Sequence, residues 1–286
     1  MKEMKMPPAL PVTALREAIL EGGLGPRPEN LSVSGASYIY QTTQFPTSVT
    51  KYHNYYLLIR AESYFGACSH TPDQLDMQIA AQLSGLPLDA VLRDKRPPVQ
   101  IAAMDAYLGI VYPHRECCTR EVDLPGGTPV QRAKLRDALI ADMADIKAAQ
   151  KVALIGVVNP LVEAIRQRGG ICLPCDLQLK ETQWGEAVER DMEKVLDKAD
   201  SIICTAMTLS NGTFDRILVR AGERQIPLTV YAQTGSAVIA RFVGKGVTAL
   251  VAEPFPFSQF SASASQLYCY TSRKGDKNAN ELQDRY

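Results

Sequence analysis

From Lys151 onward, five short apolar runs alternate with stretches of helical periodicity, and this alternation constrains the fold more than any other feature of the chain. The runs show little alternation of polar and apolar side chains, which is typical of parallel strands that helices cover on both faces. The pattern therefore predicts a doubly wound, Rossmann-like α/β domain. The five predicted strands are residues 152–158, 170–175, 201–205, 227–231 and 247–252.

The part of the chain before this pattern mixes short helical and strand-like segments. Residues 36–41 and 55–60 are aromatic and β-branched, as in strands, and residues 98–108 show the apolar spacing of a helix. A run of Pro and Gly marks a boundary near residue 125. We therefore predict a smaller α+β domain over residues 1–124 and a Rossmann-like domain over residues 125–286.

Two further helices are predicted beside this boundary. Thr71 and Pro72 are the preferred cap and first residue of a helix. A longer helix is predicted over residues 130–150, because apolar side chains recur there at near-helical spacing. These apolar residues are Leu135, Leu139, Met143 and Ile146.

The balance of charge limits the partners of the protein. Lys and Arg number 31, and Asp and Glu also number 31, so the formal net charge is zero. A chain without a basic excess neutralises few phosphates, which argues against nucleic acid as the main partner. No apolar run reaches the roughly 18 residues of a membrane span. The N-terminus carries no secretory pattern, so the seven cysteines are expected to be reduced thiols in the cytoplasm.

Polar and small residues follow each of the five predicted strands. Ligands of an open parallel sheet bind beyond the carboxyl ends of its strands, so five polar loops at one edge predict a small-molecule cleft. Residues 211–213 and 234–236 each precede a predicted helix, whose N-terminus favours an anionic group, although helix capping explains them as well. The predicted ligand-binding residues are Asn159, Thr205, Thr208, Asn211, Gly212, Thr213, Gln233, Thr234, Gly235, Ser236 and Gln259.

Glu253, Asp176 and Tyr231 are the predicted catalytic residues of this cleft. Glu253 ends a buried strand, where a raised pKa suits an acid–base carboxylate. Asp176 ends the second strand, where an acidic residue contacts ribose in dinucleotide-binding domains. The glycine pattern of those domains is absent from residues 156–160. The combination disfavours NAD and leaves room for a smaller adenosyl ligand, such as S-adenosylmethionine.

A transition metal is the alternative cofactor. Cys172 and Cys175 form a single C-x-x-C pair, and no second pair completes a zinc set. A second group of soft ligands lies near the domain boundary. The predicted metal ligands are Cys175, His114 and Cys118.

Residues 205–215, the turn at residues 234–237 and the strand that ends at residues 250–252 resemble a two-domain Rossmann-like family described as putative heavy-metal chelation. Residues 55–68 and the following helix, residues 98–108, resemble the first domain of that family, which is similar to the N-terminal domain of enolase. The resemblance covers most of the chain. It implies a site in the cleft between the two domains.

Two functions stay open at this point. The first is an enzyme, either a lyase or a transferase, that acts on a small amino-acid-like or adenosyl-bearing metabolite in the cleft. The second is a protein that binds a metal or a metal chelate, in metal homeostasis or metallophore metabolism. Phe255, Phe257 and Phe260 predict a homodimer contact if the cleft does not bury them.

Overall fold

The computed structural model describes residues 11–44 and 51–272. The helices of this part of the chain are α1 (Val12–Leu20), α2 (Ile79–Leu83), α3 (Leu88–Leu92), α4 (Pro97–Val111), α5 (His114–Cys117), α6 (Pro129–Met143), α7 (Asn159–Gln167), α8 (Met192–Leu196), α9 (Met207–Ser210), α10 (Phe214–Arg224) and α11 (Ser236–Ala240). Its strands are β1 (Val33–Gln44), β2 (Lys51–Ala61), β3 (Tyr64–His70), β4 (Arg120–Leu124), β5 (Lys151–Ile155), β6 (Ile171–Cys175), β7 (Ser201–Thr205), β8 (Leu228–Ala232), β9 (Ala249–Ala252) and β10 (Ser265–Thr271). None of the helices described there has the length and apolar character needed to cross a membrane.

Seven strands form the larger sheet, in the order β4-β10-β9-β8-β7-β5-β6. Strands β5 to β9 are mutually parallel, which confirms the five strands predicted from the apolar runs. Every residue of β8 and β9 is buried, as expected for strands covered on both faces. Strands β4 and β10 were not predicted, and they extend one edge of the sheet with antiparallel pairing.

The parallel strands follow a doubly wound order in which the second strand lies outside the first. The first and third strands, β5 and β7, are therefore neighbours whose following helices leave on opposite faces. Such a pair marks the topological switch point, where doubly wound sheets leave a crevice for a ligand. The fold thus places a candidate site beyond the carboxyl ends of β5 and β7.

Strands β1, β2 and β3 form a separate antiparallel sheet, against which α4 packs. Eleven of the 15 residues of α4 are buried, so this helix is enclosed on all sides rather than on one stripe. On its other side it contacts α11 and α9, and the cores of the two sheets are continuous through it. The helix predicted over residues 98–108 is confirmed as α4.

At Gly66, β3 approaches α4 closely. A Cβ atom at this position would lie 2.1 Å from the Ala102 carbonyl oxygen and 2.2 Å from the Ala106 nitrogen. Only glycine permits this separation of strand and helix backbones. The approach brings the Ala67 N–H within 2.9 Å of the Asp105 carboxylate on α4.

Two of the predicted helices differ from the structure. The residues after Thr71 form turns, because the Gln74 side chain accepts the Thr71 N–H and closes the segment locally. The helix predicted over residues 130–150 is α6, which ends at Met143. Asp145 and Ala149 follow with positive φ, which ends regular helix.

The division into residues 1–124 and 125–286 stays a prediction. β4, which ends at Leu124, already pairs with β10 in the larger sheet. The larger sheet therefore begins before the predicted boundary.

Candidate functional site

A cleft lies between the small antiparallel sheet and the carboxyl ends of the parallel strands. Its inner chamber has a volume of about 180 Å³ and is walled by β1 and β2, by α6 and by the residues after β5, β7, β8 and β9. Its outer cavity has a volume of about 870 Å³ and is walled by the loops after β5, β6 and β7. The two parts are continuous, because they share the lining residues Tyr52, Asn54, Ser69, Val158, Thr205 and Met207.

The junction of the two parts lies at the switch point of the sheet. Val158 follows β5 and Thr205 ends β7, and both line the inner chamber and the outer cavity. Gly156 permits this arrangement, since it has a φ of +88° and a Cβ there would lie 2.6 Å from the Thr205 Oγ1. The cleft therefore occupies the place where doubly wound sheets bind their ligands.

Glu253, predicted as the acid–base residue, lies beneath the inner chamber and is fully buried. Its Oε2 accepts hydrogen bonds from the Tyr231 hydroxyl and the Gln233 amide, both at 2.7 Å. Its Oε1 accepts the Ser258 N–H at 2.6 Å. Because protein donors engage both oxygens, Glu253 positions Tyr231 and Gln233 instead of contacting a ligand, which corrects its predicted role.

Tyr231, Gln233 and Gln259 line the inner chamber, as predicted. The two glutamine amides exchange hydrogen bonds at 2.7 and 3.1 Å, and Gln259 also donates to the Tyr56 hydroxyl at 3.1 Å. Burial raises the pKa of Tyr56 to about 12 and holds the pKa of Tyr231 well above its ordinary value. Both phenols are therefore protonated at neutral pH and act as hydrogen-bonding groups.

Arg136 and Asp137 of α6 also line the inner chamber, and the sequence analysis missed both. Asp137 is fully buried, and its Oδ1 accepts the Arg136 Nε–H at 2.8 Å. The guanidinium lies 4.8 Å from the Tyr231 ring centroid and 3.8 Å from the Glu253 Oε2. Burial raises the pKa of Asp137, and the neighbouring Arg136 opposes that rise.

The buried face of α6 explains why these two residues were missed. Leu135, taken as an apolar position of the helix, is 50% exposed. The opposite face packs inward, and its buried residues recur at helical spacing. The buried residues of α6 are Arg132, Ala133, Asp137, Ile140 and Ala141.

Arg132 fixes the segment that closes the inner chamber. The side chain is 1% exposed, and its guanidinium donates to the carbonyl oxygens of Ser261 and Ser263 and to the Ser265 hydroxyl. These bonds hold the chain after Gln259 against α6. The position of Gln259 in the chamber therefore depends on a buried arginine that does not touch the cleft.

Phe255, Phe257 and Phe260 pack on one another, and Phe257 and Phe260 also pack on Tyr56. Phe257 is fully buried. Phe260 is 37% exposed, so the homodimer contact stays a prediction.

The helix N-terminus at residues 234–236 is engaged by the protein itself. The Asp105 Oδ1 accepts the Ala237 N–H at 2.8 Å, and the Gly235 N–H donates to the Ala67 carbonyl oxygen at 2.8 Å. The Ser236 hydroxyl lies 2.9 Å from His114 Nε2. The anion site predicted here is wrong, because the carboxylate of Asp105 occupies its place. Thr234 still lines the inner chamber.

At residues 211–213, side-chain hydrogen bonds close a local turn before α10, and no side chain caps the helix itself. The Asn211 side chain accepts the Thr213 N–H at 3.1 Å and the Thr213 hydroxyl at 2.7 Å. Gly212 adopts a φ of +76° in this turn. Asn211, Thr213 and the nearby Thr208 line the outer cavity. The Asn211 side-chain oxygen is already engaged by Thr213 within the turn.

Asp176 anchors the loop that follows β6. Its Oδ1 accepts the N–H groups of Gln178 and Leu179 at 2.8 and 3.0 Å, and its Oδ2 accepts the Val157 N–H at 3.0 Å. Asp176 borders the outer cavity, but these bonds give it a structural role in place of the predicted catalytic one. Asn159 also has a structural contact, since its side-chain amide at the start of α7 donates to the hydroxyl of Tyr52 on β2 at 3.1 Å.

The three predicted metal ligands do not come together. Cys175 ends β6 at one edge of the larger sheet, whereas Cys118 precedes β4 at the opposite edge. His114 is buried between the hydroxyls of Tyr270 and Ser236, at 2.6 and 2.9 Å, and burial lowers its pKa to about 4. Within residues 11–44 and 51–272, no three His, Cys, Asp or Glu side chains are grouped to hold a metal ion. The predicted ligand set therefore does not fit a metal.

Comparison with known proteins confirms the family resemblance. The model of the DUF364 family, described as putative heavy-metal chelation, matches residues 139–245, from the last turns of α6 to beyond α11. No curated protein matches the chain.

Two solved structures share the fold. The first is a protein with unknown function from the DUF364 family of Desulfitobacterium hafniense DCB-2, with a TM-score of 0.57 and 17% identity over 83% of this chain and 85% of that one. The second is a DUF364 protein with unknown function from Pyrococcus horikoshii, with a TM-score of 0.57 and 15% identity over 91% of this chain and 99% of that one. Identities this low show the fold alone, which agrees with the predicted Rossmann-like architecture preceded by a smaller α+β part.

Proposed function

We propose that the protein is an enzyme, a lyase or a transferase, that acts on a small adenosyl-bearing metabolite with an amino-acid-like end. The observation that carries this proposal is the continuous cleft at the switch point of the sheet. Its outer cavity of about 870 Å³ has the size of a small-molecule site. Its inner chamber of about 180 Å³ suits a short polar end of the same ligand.

A nucleoside suits the outer cavity better than a nucleotide does. Backbone N–H groups at helix N-termini commonly hold phosphates. Here Asp105 engages the start of α11, and the Asn211 side chain engages the turn before α10. The loop after β5 also lacks the glycine pattern that lets backbone approach a pyrophosphate. These features support a ligand without a phosphate chain.

The inner chamber supplies groups suited to polar chemistry. Tyr231 and Tyr56 are protonated phenols, held in place by Glu253 and Gln259 respectively. Arg136 lies over the face of Tyr231. In this proposal the reacting bond lies at the junction of the two parts of the cleft, beside Thr205 and Tyr52, which line both.

The metal-binding alternative depends on the description of the family. Its predicted ligands Cys175, His114 and Cys118 lie apart, so we do not adopt it. Elemental analysis of the purified protein tests this choice. A stoichiometric metal that is lost in Cys175→Ser would replace our proposal with the alternative.

Isothermal titration calorimetry tests the proposal directly. We expect S-adenosylmethionine and S-adenosylhomocysteine to bind, adenosine to bind more weakly and ATP to show no binding. Met207→Trp is expected to block binding, because Met207 lines both parts of the cleft and is 48% exposed. Val219→Trp is the matched control, since Val219 is 45% exposed on α10 and lines neither part. Failure of every adenosyl compound to bind the wild-type protein would overturn the proposal.

A further inference from the structure

We propose that the inner chamber recognises a primary ammonium group, with Asp137 as its counter-charge and Gln41 as a second acceptor. The inference rests on the proposed function in taking the cleft as a ligand site. It adds which end of the ligand enters the chamber and which side chains select it.

The Asp137 carboxylate supplies the first part of the argument. The residue lines the chamber and is fully buried, and Arg136 engages its Oδ1. Its Oδ2 is also buried and accepts no hydrogen bond from the described residues. A buried carboxylate oxygen without a donor is costly, so this atom calls for a donor that a ligand would bring.

Gln41 supplies an independent second acceptor. It lies on β1, in the small sheet, and lines the same chamber. Its Oε1 is buried and likewise accepts no hydrogen bond from the described part of the chain. Two acceptors without donors therefore line one small chamber, on different elements. A primary ammonium presents three N–H donors on one atom, so in this proposal a single ligand group supplies a donor to each acceptor.

The charges around the chamber favour a cation. The charged side chains there are Arg136, Asp137 and, beneath the chamber, Glu253. One guanidinium lies beside two carboxyl groups, so the site favours a positive ligand group over a negative one. Tyr52 also lines the chamber, and the face of an aromatic ring attracts cations.

Other ligand ends fit these groups less well. A carboxylate would bring a like charge beside Asp137. A hydroxyl has one donor for two acceptors, and a sulfonium has no N–H or O–H donor at all. The chamber therefore selects the ammonium end of an amino-acid-like ligand in preference to its carboxylate or a sulfonium centre.

The first experiment compares two neutral-sulfur adenosyl compounds by calorimetry. S-adenosylhomocysteine carries the ammonium, and 5′-methylthioadenosine lacks the whole amino-acid end. We expect Asp137→Asn to lower the affinity for S-adenosylhomocysteine at least tenfold and Gln41→Leu to lower it about threefold. The affinity for methylthioadenosine should stay unchanged in both variants. Asp142→Asn, at an exposed position on the same helix, is the matched control. Equal weakening of both compounds by Asp137→Asn would show a structural role and overturn the inference.

A second experiment tests the chamber without any adenosyl compound. Thermal unfolding is measured with n-propylammonium chloride, with n-propanol as the neutral probe. We expect the ammonium to raise the melting temperature of the wild-type protein more than propanol does, and Asp137→Asn to remove that difference. Absence of the difference in the wild-type protein would overturn the inference even if adenosyl compounds bind. Its presence, together with no adenosyl binding, would overturn the proposed function alone.

Discussion

Asp105 and Asp137 are both buried aspartates on helices, yet they differ in how fully the protein satisfies them. Asp105 accepts the Ala67 N–H with one oxygen and the Ala237 N–H with the other, so it ties α4 to β3 and to α11. Asp137 accepts one bond from Arg136, and its second oxygen accepts none from the described residues.

Burial alone does not identify a functional carboxylate. Asp105 is 1% exposed and Asp137 is fully buried, so their accessibility is the same. Completed hydrogen bonding marks Asp105 as a structural junction. Incomplete hydrogen bonding beside a cavity marks Asp137 as a group that a ligand completes.

The largest expected effect is that of Asp105→Ala on stability. The substitution leaves the N–H groups of Ala67 and Ala237 buried without acceptors, so we expect the free energy of unfolding to fall by about 3–5 kcal/mol. Asp137→Ala is expected to lose less stability, because the Arg136 guanidinium keeps Glu253 as a second carboxylate neighbour at 3.8 Å. Urea denaturation measures both variants, and a loss for Asp137→Ala as large as that for Asp105→Ala would contradict the expectation.

A smaller loss of unfolding free energy is expected for Gly66→Ala, which disturbs the same contact between α4 and β3. The added Cβ would meet the backbone of α4 and push β3 away from Asp105, and we expect a loss of about 3 kcal/mol. The double variant with Asp105→Ala should lose less than the sum of the single variants. Gly222→Ala is the control, since a Cβ on Gly222 of α10 meets nothing within 4 Å. An additive double variant would show that the two positions act separately.

The stability that Asp105 contributes is expected to depend on pH. Burial raises the pKa of Asp105 from 3.8 to about 7. Between these values the folded state keeps a proton that the unfolded state has lost, so the contribution of Asp105 falls as pH rises from about 4 to about 7, by about 1.4 kcal/mol per pH unit.

The test is the difference in free energy of unfolding between the wild-type protein and Asp105→Asn across this range. His114 changes stability in the opposite direction, because its lowered pKa makes acid destabilising, and the difference between the two proteins cancels it. A difference that stays constant with pH would contradict the assignment to Asp105.

The smallest expected effect is that of Glu253→Gln. Glu253 acts through Tyr231 and Gln233, so we expect the affinity for S-adenosylhomocysteine to fall about threefold. Glu29→Gln, in an exposed ion pair with Arg27 away from the cleft, is the control with no expected change. A loss as large as that of Asp137→Asn would mean that Glu253 contacts the ligand after all.

Much of the larger sheet could be predicted from the sequence because its central strands are buried on both faces. Apolar runs without alternation are sufficient evidence for such strands, as β8 illustrates. β10 mixes partly and fully buried residues, and β4 is largely exposed, so neither forms a continuous apolar run. Their pairing joins residues 141 to 149 positions apart, which local patterns do not encode.

The candidate site was predictable only in its position. The switch-point rule located the cleft, and Tyr231, Gln233 and Gln259 line it as expected. The start of α11 was mistaken for an anion site because its partner, Asp105, is 132 positions away from Ala237. Asp137 was missed because charged residues on an amphipathic helix ordinarily face water.

The enclosed helix α4 has a consequence for how a ligand reaches the cleft. Since α4 belongs to the cores on both of its sides, the two walls of the cleft are built on one shared interior. Hinge-like separation of the walls would expose that interior to water. Entry and release should therefore proceed through the mouth of the outer cavity, and the rate of exchange should depend on the loops after β6 and β7.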